Sequence, residues 1–529
     1  MGPDAAHVRE ALRNLPEYLG QHVLITAVAL GLGIAISLPV AVAVVRRARL
    51  RWSVLAVASI IQTVPSLALL AIFYLVLLGV AWVTGRLFGF EISALGFLPT
   101  VIGLTLYSML PILRNTVTGI LGVDPAVREA AEAAGMRPWQ VLMHVELPLA
   151  LPVIVAGIRT ATVWVVGIAT LSTPIGQTSL GNYIFTGLQT QNWISVLFGV
   201  VLAAALAIVL DQLIGLAESG AAQRSRRRVL AAGVGLVAVL AGGILPWRLT
   251  VPDASAQGRA YRIGAKNFTE QFILASLLRD TIQTAGMDAT KMEGLGSMVA
   301  FEALANGDVD VYVDYSGTVW ANYMKRTEVA DAETVLREMT DWLQREKGIL
   351  CLGPLGFENA YALAMRRARA EELGVRTIAD LGPHAPRMTI GGDYEFFGRP
   401  EWKHMREAYG LRFAERKQYQ STFMYEAIAT GEVDVISAFS SDGRIAAYDL
   451  VILDDPKHVI PPYDAVVLVS PKAARDRRLV EALRPLLSAV RVEWMRQANL
   501  MVDRDEDKRT VDQAAAWLRE RLADPPSAK

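Results

Sequence analysis

The chain has 529 residues, 52 Lys+Arg against 52 Asp+Glu, and 53% apolar residues, with a mean hydropathy of +0.32. That apolar excess excludes an ordinary soluble enzyme, and the neutral total excludes a globally basic nucleic-acid binder. The charges divide unevenly: the first 250 residues hold 16 Arg, no Lys and 10 acidic residues, leaving 36 basic against 42 acidic residues beyond. Two unlike bodies of +6 and −6, each long enough for its own fold, therefore make up the neutral chain. The lone cysteine, Cys351, excludes an internal disulfide framework and a Cys-rich metal site.

A span needs about 20 apolar residues to cross roughly 30 Å of hydrocarbon. Six stretches meet or approach this, at about 22–45, 54–80, 95–113, 152–171, 194–216 and 229–247. In the first, the basic cluster follows the apolar run, which is longer than a leader's, so it reads as a retained span and not as a signal peptide. Arg46, Arg47, Arg49 and Arg51 follow span one, Arg128 and Arg137 follow span three, and Arg224, Arg226, Arg227 and Arg228 follow span five. The opposite loops carry only Arg86 and Glu91 in one and no charge from Ser172 to Trp193 in the other. The positive-inside rule then puts the N-terminus and everything after Trp247 outside. Pro39, Pro65 and Pro111 fall inside spans, either as kinks or as residues lining a pathway, because each removes a backbone donor.

Between spans three and four runs EAAEAAGMRPWQVLMHVELP, Glu129 to Pro148. The Ala-rich, Glu-led stretch favours helix, Gly135 supplies a stop, and Pro138 suits the first turn of a second helix. The pattern resembles the EAA loop of ABC-importer permeases through Glu129, Ala130, Ala131, Gly135, Val145, Leu147 and Pro148, with Val145 in the usual Ile place. The resemblance implies a helix that docks on a separate ATP-hydrolysing subunit and passes its closure to the spans.

VPDASAQGR, 251–259, lacks apolar periodicity and reads as a linker that reaches roughly 30 Å when extended. Beyond it, strand-length apolar runs alternate with helical patterns, predicting an α/β body with mainly parallel pairing. ALANGDVDVYVDYSG, 303–317, aligns without a gap to AIATGEVDVISAFSS, 427–441, and RIGAKN, 262–267, matches TIGGDY, 389–394, more weakly. Two similar lobes follow. Ligands in open α/β sheets bind beyond the carboxyl ends of strands, so Tyr315 and Phe439 are expected to face a cleft.

The segments IGAKNFTEQFIL, DYSGT, FENAYAL, AFSSDGRI and PPYDA resemble, in order, the substrate-binding domain of ABC importers for glycine betaine, carnitine and choline. With the permease resemblance, this covers almost the whole chain. The implied fold is an all-α membrane permease of six transmembrane helices joined to a two-lobed α/β domain of the type II periplasmic binding-protein kind. Expected boundaries are 1–217 for the permease with five spans and the loop 129–148, then 218–259 for the basic loop, sixth span and linker. The binding domain takes 260–525, with lobe 1 at about 260–352 and 455–525 and lobe 2 at about 353–454.

The resemblance further implies an aromatic cage of Tyr315, Tyr361, Phe439 and Tyr463, with Gln271 and Thr318 orienting the ligand's other end. A quaternary ammonium has no N–H and cannot lose a proton, so ring faces must recognise it, at roughly 0.5–2 kcal/mol each. Two departures bear on the ligand. Phe439 replaces the family's usual Tyr, and Asp464 follows the cage tyrosine in PPYDA, where it is either a solvated turn residue or a receiver for an imidazole or hydroxyl of a larger betaine such as ergothioneine. Asp442, Gly443 and Arg444 are open between a turn and a cleft group. The P-loop pattern G-x-x-x-x-G-K-[ST], His pairs at metal spacing and a G-x-S-x-G elbow are absent, so neither an ATPase on this chain nor any other catalysis or cofactor is expected. The expected function is uptake of a quaternary ammonium compound across the cell (inner) membrane by a homodimer of this chain with a separate ATP-binding subunit. The rival class is a ligand-gated channel or membrane receptor with a tethered binding domain.

Overall fold

A computed structural model describes residues 3–88, 93–223, 225–250, 260–326, 328, 330–504 and 506–523. The expected linker 251–259, Arg224, Glu91 and the end of the expected last boundary (524–525) lie outside the described residues. The chain forms two compact units. One is Ala11–Phe185 with Ser195–Pro252, and the other is Asp253–Lys529 with the short stretches Met1–Glu10 and Thr186–Ile194.

The first unit is helical: α1 (Pro3–Val44), α2 (Ala48–Thr63), α3 (Ser66–Phe88), α4 (Phe97–Leu121), α5 (Pro125–Ala133), α6 (Pro138–Val141), α7 (Leu147–Ala169), α8 (Gly181–Gln189), α9 (Trp193–Ala222) and α10 (Arg226–Thr250). Among the described residues, five helical segments are long and apolar enough to cross a membrane, beginning at Ala5, Phe97, Pro138, Trp193 and Arg226. The expected second span is not one straight helix, because α2 and α3 meet at a 101° bend. Pro65 causes it. Proline offers no N–H and biases the preceding residue away from helix, and Val64 is extended at φ −72°, ψ 128°. The Tyr107 hydroxyl donates to the freed Val64 carbonyl, and Gln62 Nε2 donates to Tyr107 O at 3.1 Å. Pro39 and Pro111 stay inside continuous helices; beside Pro111, Asn115 Nδ2 donates to its carbonyl at 2.9 Å. The α4 and α7 helices pack through small residues: a Cβ on Gly157 would lie 2.6 Å from Asn115 Cβ and 2.8 Å from Pro111 O. Such close backbone approach substitutes for the hydrophobic drive that lipid removes.

The second unit holds two five-stranded sheets. Their strands are β1 (Tyr261–Lys266), β2 (Ala289–Leu295), β3 (Val311–Tyr315), β4 (Leu350–Glu358), β5 (Tyr361–Arg366), β6 (Thr389–Asp393), β7 (Glu415–Tyr419), β8 (Val435–Phe439), β9 (Leu450–Ile452) and β10 (Asp464–Val469). The orders are β2-β1-β3-β10-β4 and β7-β6-β8-β5-β9. Each sheet has a parallel trio, β2-β1-β3 or β7-β6-β8, extended by an antiparallel strand, β10 or β5. The sheets are therefore mixed, not mainly parallel. Since β4 stays in the first sheet through Glu358, the chain crosses between lobes at Asn359–Ala360, later than the expected 353. Packed helices used below are α11 (Thr269–Thr284), α12 (Ser297–Ala305), α13 (Pro400–Tyr409), α14 (Ser421–Ala429), α15 (Arg444–Ala447), α16 (Val492–Asp503) and α17 (Val511–Ala523).

The repeat is exact at the level of elements. Helix α12 and strand β3 recur as α14 and β8 with every boundary displaced by 124 residues. The hydroxyls of Ser316 and Ser440, one residue past β3 and β8, play the same part in each lobe. They accept from the backbone N–H of Asp464 at 2.9 Å and of Ala360 at 2.9 Å, docking the crossing segments.

Candidate functional site

A cavity of about 190 Å³ lies at the carboxyl ends of β3 and β8. Tyr315, Tyr361, Phe439, Tyr463 and Thr318 all line it, together with Phe268, Lys266, Asn359, Asp393 and Arg399. Tyr315 and Phe439 are the last residues of their strands, and Tyr361, the first residue of β5, is the direct antiparallel partner of Phe439. Their ring centroids lie 5.1 Å apart, and Tyr361 meets Tyr463 edge-on at 5.9 Å. Phe268, the extended residue before α11, adds a fifth ring, stacked 6.1 Å from Tyr315 and 6.3 Å from Phe439. Burial pushes the phenols of Tyr315, Tyr361 and Tyr463 well above their ordinary range, so these rings present neutral π faces.

Two protein cations sit among the rings. Lys266 Nζ lies 5.5 Å from the Tyr315 centroid and forms an ion pair with Asp314. Arg399, buried, lies 5.0 Å from the Tyr361 centroid and 5.9 Å from that of Tyr463. Its Nη2 donates to the Tyr463 hydroxyl at 2.7 Å and to Glu401 at 3.1 Å, and the Tyr463 hydroxyl donates in turn to Glu401. The ring of Tyr463 is thus fixed by a buried charged pair.

Gln271 does not reach the cavity. Its amide donates to Val313 O and the Tyr315 hydroxyl, both at 3.0 Å, and its Oε1 accepts from Lys266 N, which uses the side chain up behind Tyr315. Asp464 is not among the lining residues either: it starts β10 opposite Glu358, half-buried. Ala465 lies opposite Tyr315 in the register, so strand alternation turns Asp464 to the other face. Asp442 and Arg444 form an ion pair at 2.6 Å, beside α16 and the Asp503 carboxylate, in a smaller cavity behind the first. Gly443 there packs so close that a Cβ would lie 2.3 Å from Leu500 N.

Behind Tyr315, buried Glu270 accepts four hydrogen bonds. They come from Tyr315 Oη at 2.6 Å, Asn359 Nδ2 at 3.1 Å, Ser441 Oγ at 2.6 Å and Asn499 Nδ2 at 3.0 Å. Burial raises its carboxyl above the usual range, and the donors from Ser441, Tyr315 and Asn499 pull the other way. Phe268, Asn359 and Asp393 lie inside motifs singled out in the sequence, NFTEQ, FENAYAL and TIGGDY, yet no signal marked them as site residues. Arg399 lay outside every motif, and only the fold brings it to the rings.

The loop between α4 and α7 folds as helix, turn and helix. Asp124 caps α5 by accepting from Ala126 N at 2.9 Å, Gly135 turns at φ +83°, and Pro138 opens α6, which runs through a π-turn at Leu142–Glu146 into α7. Glu129, Ala130 and Gly135 are exposed, Ala131 is buried, and Trp139 and Met143 project outward. Buried Glu146 is gripped by Arg46 at 3.0 and 3.1 Å, tying the loop to the start of α2.

Comparison with known proteins agrees with both halves. Residues 259–520 match the substrate-binding domain of the ABC-type glycine betaine transport system, and residues 30–222 match the binding-protein-dependent transport system inner membrane component. The ergothioneine transport permease/ergothioneine binding protein EgtU of Helicobacter pylori (strain G27) is 28% identical over 86% of this chain and 81% of its own. The glycine betaine/carnitine/choline transport system permease protein OpuCB of Bacillus subtilis (strain 168) is 40% identical over 38% of this chain and 84% of its own. A glycine-betaine-binding protein of Pseudomonas aeruginosa is 32% identical over 50% of this chain and 89% of its own. Among solved structures, a glycine betaine/carnitine/choline ABC transporter covers 49% of this chain and 98% of its own at 26% identity, with a TM-score of 0.44. The chain belongs to the ABC-importer family of the glycine betaine, carnitine and choline type, as an inner-membrane permease component fused to its substrate-binding domain.

Proposed function

We propose that the chain imports a quaternary ammonium compound, bound among Tyr315, Phe439 and Phe268 with Tyr361 and Tyr463 completing the wall and Thr318 at its edge. The observation that carries this reading is five aromatic side chains converging on one cavity at the strand ends. A permanent cation without N–H groups gains about 0.5–2 kcal/mol from each desolvated ring, so five rings supply about 2.5–10 kcal/mol, a range that spans the roughly 8 kcal/mol of micromolar binding. Glycine betaine, carnitine and choline fit this chemistry. Ergothioneine is the second reading, favoured by the EgtU relative, whose match runs through both halves of this chain.

The arginine pattern of the loops supports a binding domain outside the cell and the loop of Glu129, Ala130, Ala131 and Gly135 inside. There it would dock on an ATP-hydrolysing subunit carried by a separate chain, with two copies of this chain completing the transporter. The exposed Trp139 and Met143 supply apolar contact for that docking. Calorimetric titration of the purified full-length protein with glycine betaine, carnitine, choline and ergothioneine tests the ligand class. Saturable heat with at least one is expected; no heat with any, from protein that still melts cooperatively, overturns the reading.

A further inference from the structure

Among the described residues, no donor reaches two buried acceptors on residues that line the cavity. Asp393 closes β6, and its Oδ1 accepts from the N–H groups of Glu395 at 2.8 Å and Phe396 at 3.1 Å. No donor among the described residues reaches its Oδ2, although Asp393 is 6% exposed and lines the cavity. Asn359, at the lobe crossing, is 7% exposed and lines the same cavity. Its Nδ2 is committed to Glu270, which fixes the amide orientation, since the reverse would set its oxygen against a carboxylate. That leaves Asn359 Oδ1 likewise without a donor. A buried acceptor left unpaired costs about 1–3 kcal/mol, so two in one cavity call for a partner brought by the occupant.

The hydroxyls of Tyr315 and Tyr463 are committed to Glu270 and Glu401, that of Tyr361 bonds to neither acceptor, and a trimethylammonium group has no donor to offer. Resting on the quaternary ammonium reading above, we infer that the ligand carries an N–H or O–H donor in addition to its quaternary ammonium, received by Asp393 Oδ2 and Asn359 Oδ1. Glycine betaine consists of a trimethylammonium, a methylene and a carboxylate, with no N–H or O–H at neutral pH. It leaves both acceptors unpaired and brings an anion toward one of them. A hydroxylated or N–H-bearing betaine, or a hydroxylated cation, relieves them. The cavity thereby selects against the ligand that most simply fits an aromatic cage, and Asp393 fills the receiving role that the sequence offered to Asp464.

The test is calorimetry on the full-length protein in nanodiscs with glycine betaine, carnitine, choline and ergothioneine, repeated for Asp393→Asn. That variant retains an oxygen for the Glu395 and Phe396 N–H groups while turning the unpartnered acceptor into a donor. In wild type, the best donor-bearing ligand is expected to bind at least about tenfold more tightly than glycine betaine. In Asp393→Asn that ratio should fall to within about threefold. Choline against its methyl ether and ergothioneine against its form methylated at both ring nitrogens, both on wild type, give the same comparison without a variant. Glycine betaine binding as tightly as the best donor-bearing ligand, or a ratio unchanged by Asp393→Asn, overturns this inference and leaves the quaternary ammonium reading standing. Failure of all four ligands on folded wild type overturns both.

Discussion

Replacing Glu270 with Ala should loosen the grip between the lobes. Of its four donors, Tyr315 and Asn499 belong to the first lobe, Asn359 to the crossing segment and Ser441 to the second lobe. The hydroxyls of Tyr315 and Ser441 can turn to other acceptors, but the amides of Asn359 and Asn499 cannot. Asn499 Nδ2 keeps only its second bond, to Ser441 O at 2.9 Å. Of the four bonds to Glu270, that of Ser441 is the one made directly between the lobes, and a hydrogen bond to a charged group is worth about 1.5–3 kcal/mol. If ligand stabilises the state in which that bond is made, Glu270→Ala should weaken binding by about ten- to 150-fold, at 1.4 kcal/mol per tenfold. Ser441→Ala should reproduce most of the loss while leaving Tyr315 supported, and Glu270→Gln, which keeps one acceptor oxygen, should fall between. Calorimetry gives the affinities, and thermal melting of the same preparations reports the stranded amides. Unchanged affinity and melting temperature in Glu270→Ala would refute the latch.

Removing a ring is the direct test of the cage: Phe439→Ala should weaken any quaternary ammonium by about 2- to 30-fold, whereas Phe439→Tyr, which keeps the π face, should bind within about threefold of wild type in the same calorimeter. Glu146→Gln breaks the pair that Arg46 makes with the loop proposed to dock the ATPase, so ligand binding should persist while uptake into proteoliposomes and ligand-stimulated ATP hydrolysis drop together; normal uptake would show the pair to be incidental. At Asp512 burial opposes ionisation, but the charges of Lys291 and Arg279 prevail and hold its carboxyl below the usual range. A depressed carboxyl stabilises the fold above its unfolded value near 4 and loses that contribution as pH falls below it. Asp512→Asn should therefore speed hydrogen exchange in α17 at pH 7, with the difference from wild type shrinking as the pH falls below about 4.

How much of this was legible depended on whether a residue's neighbours are fixed by its own segment. The repeat was readable because α12–β3 and α14–β8 are local units, and it placed Tyr315 and Phe439 at equivalent strand ends before any pairing was known. The loop between α4 and α7 was readable for the same reason: cap, glycine and proline lie within one short stretch. The bend after Thr63 was only half legible. Pro65 marked a possible break, but what lets the chain turn there is the hydroxyl of Tyr107, more than forty residues away, satisfying the carbonyl that a membrane would leave exposed. The polar half of the site failed in two instructive ways. Asp464 stands beside a cage tyrosine in sequence, and in a strand that adjacency argues against a shared face, because side chains alternate. The register of β10, with Ala465 opposite Tyr315, fixes the alternation. Gln271 was placed at the ligand and instead braces Tyr315 from behind, with Glu270 beside it doing the same. Arg399 could not be read at all, since its relevance comes from a chain reversal between β6 and α13 that carries a guanidinium onto rings from two other segments. Resemblance therefore named four of the rings that converge on the cavity, each at or beside a strand end, but not its polar wall, whose two unpartnered acceptors come together only in the assembled lobes.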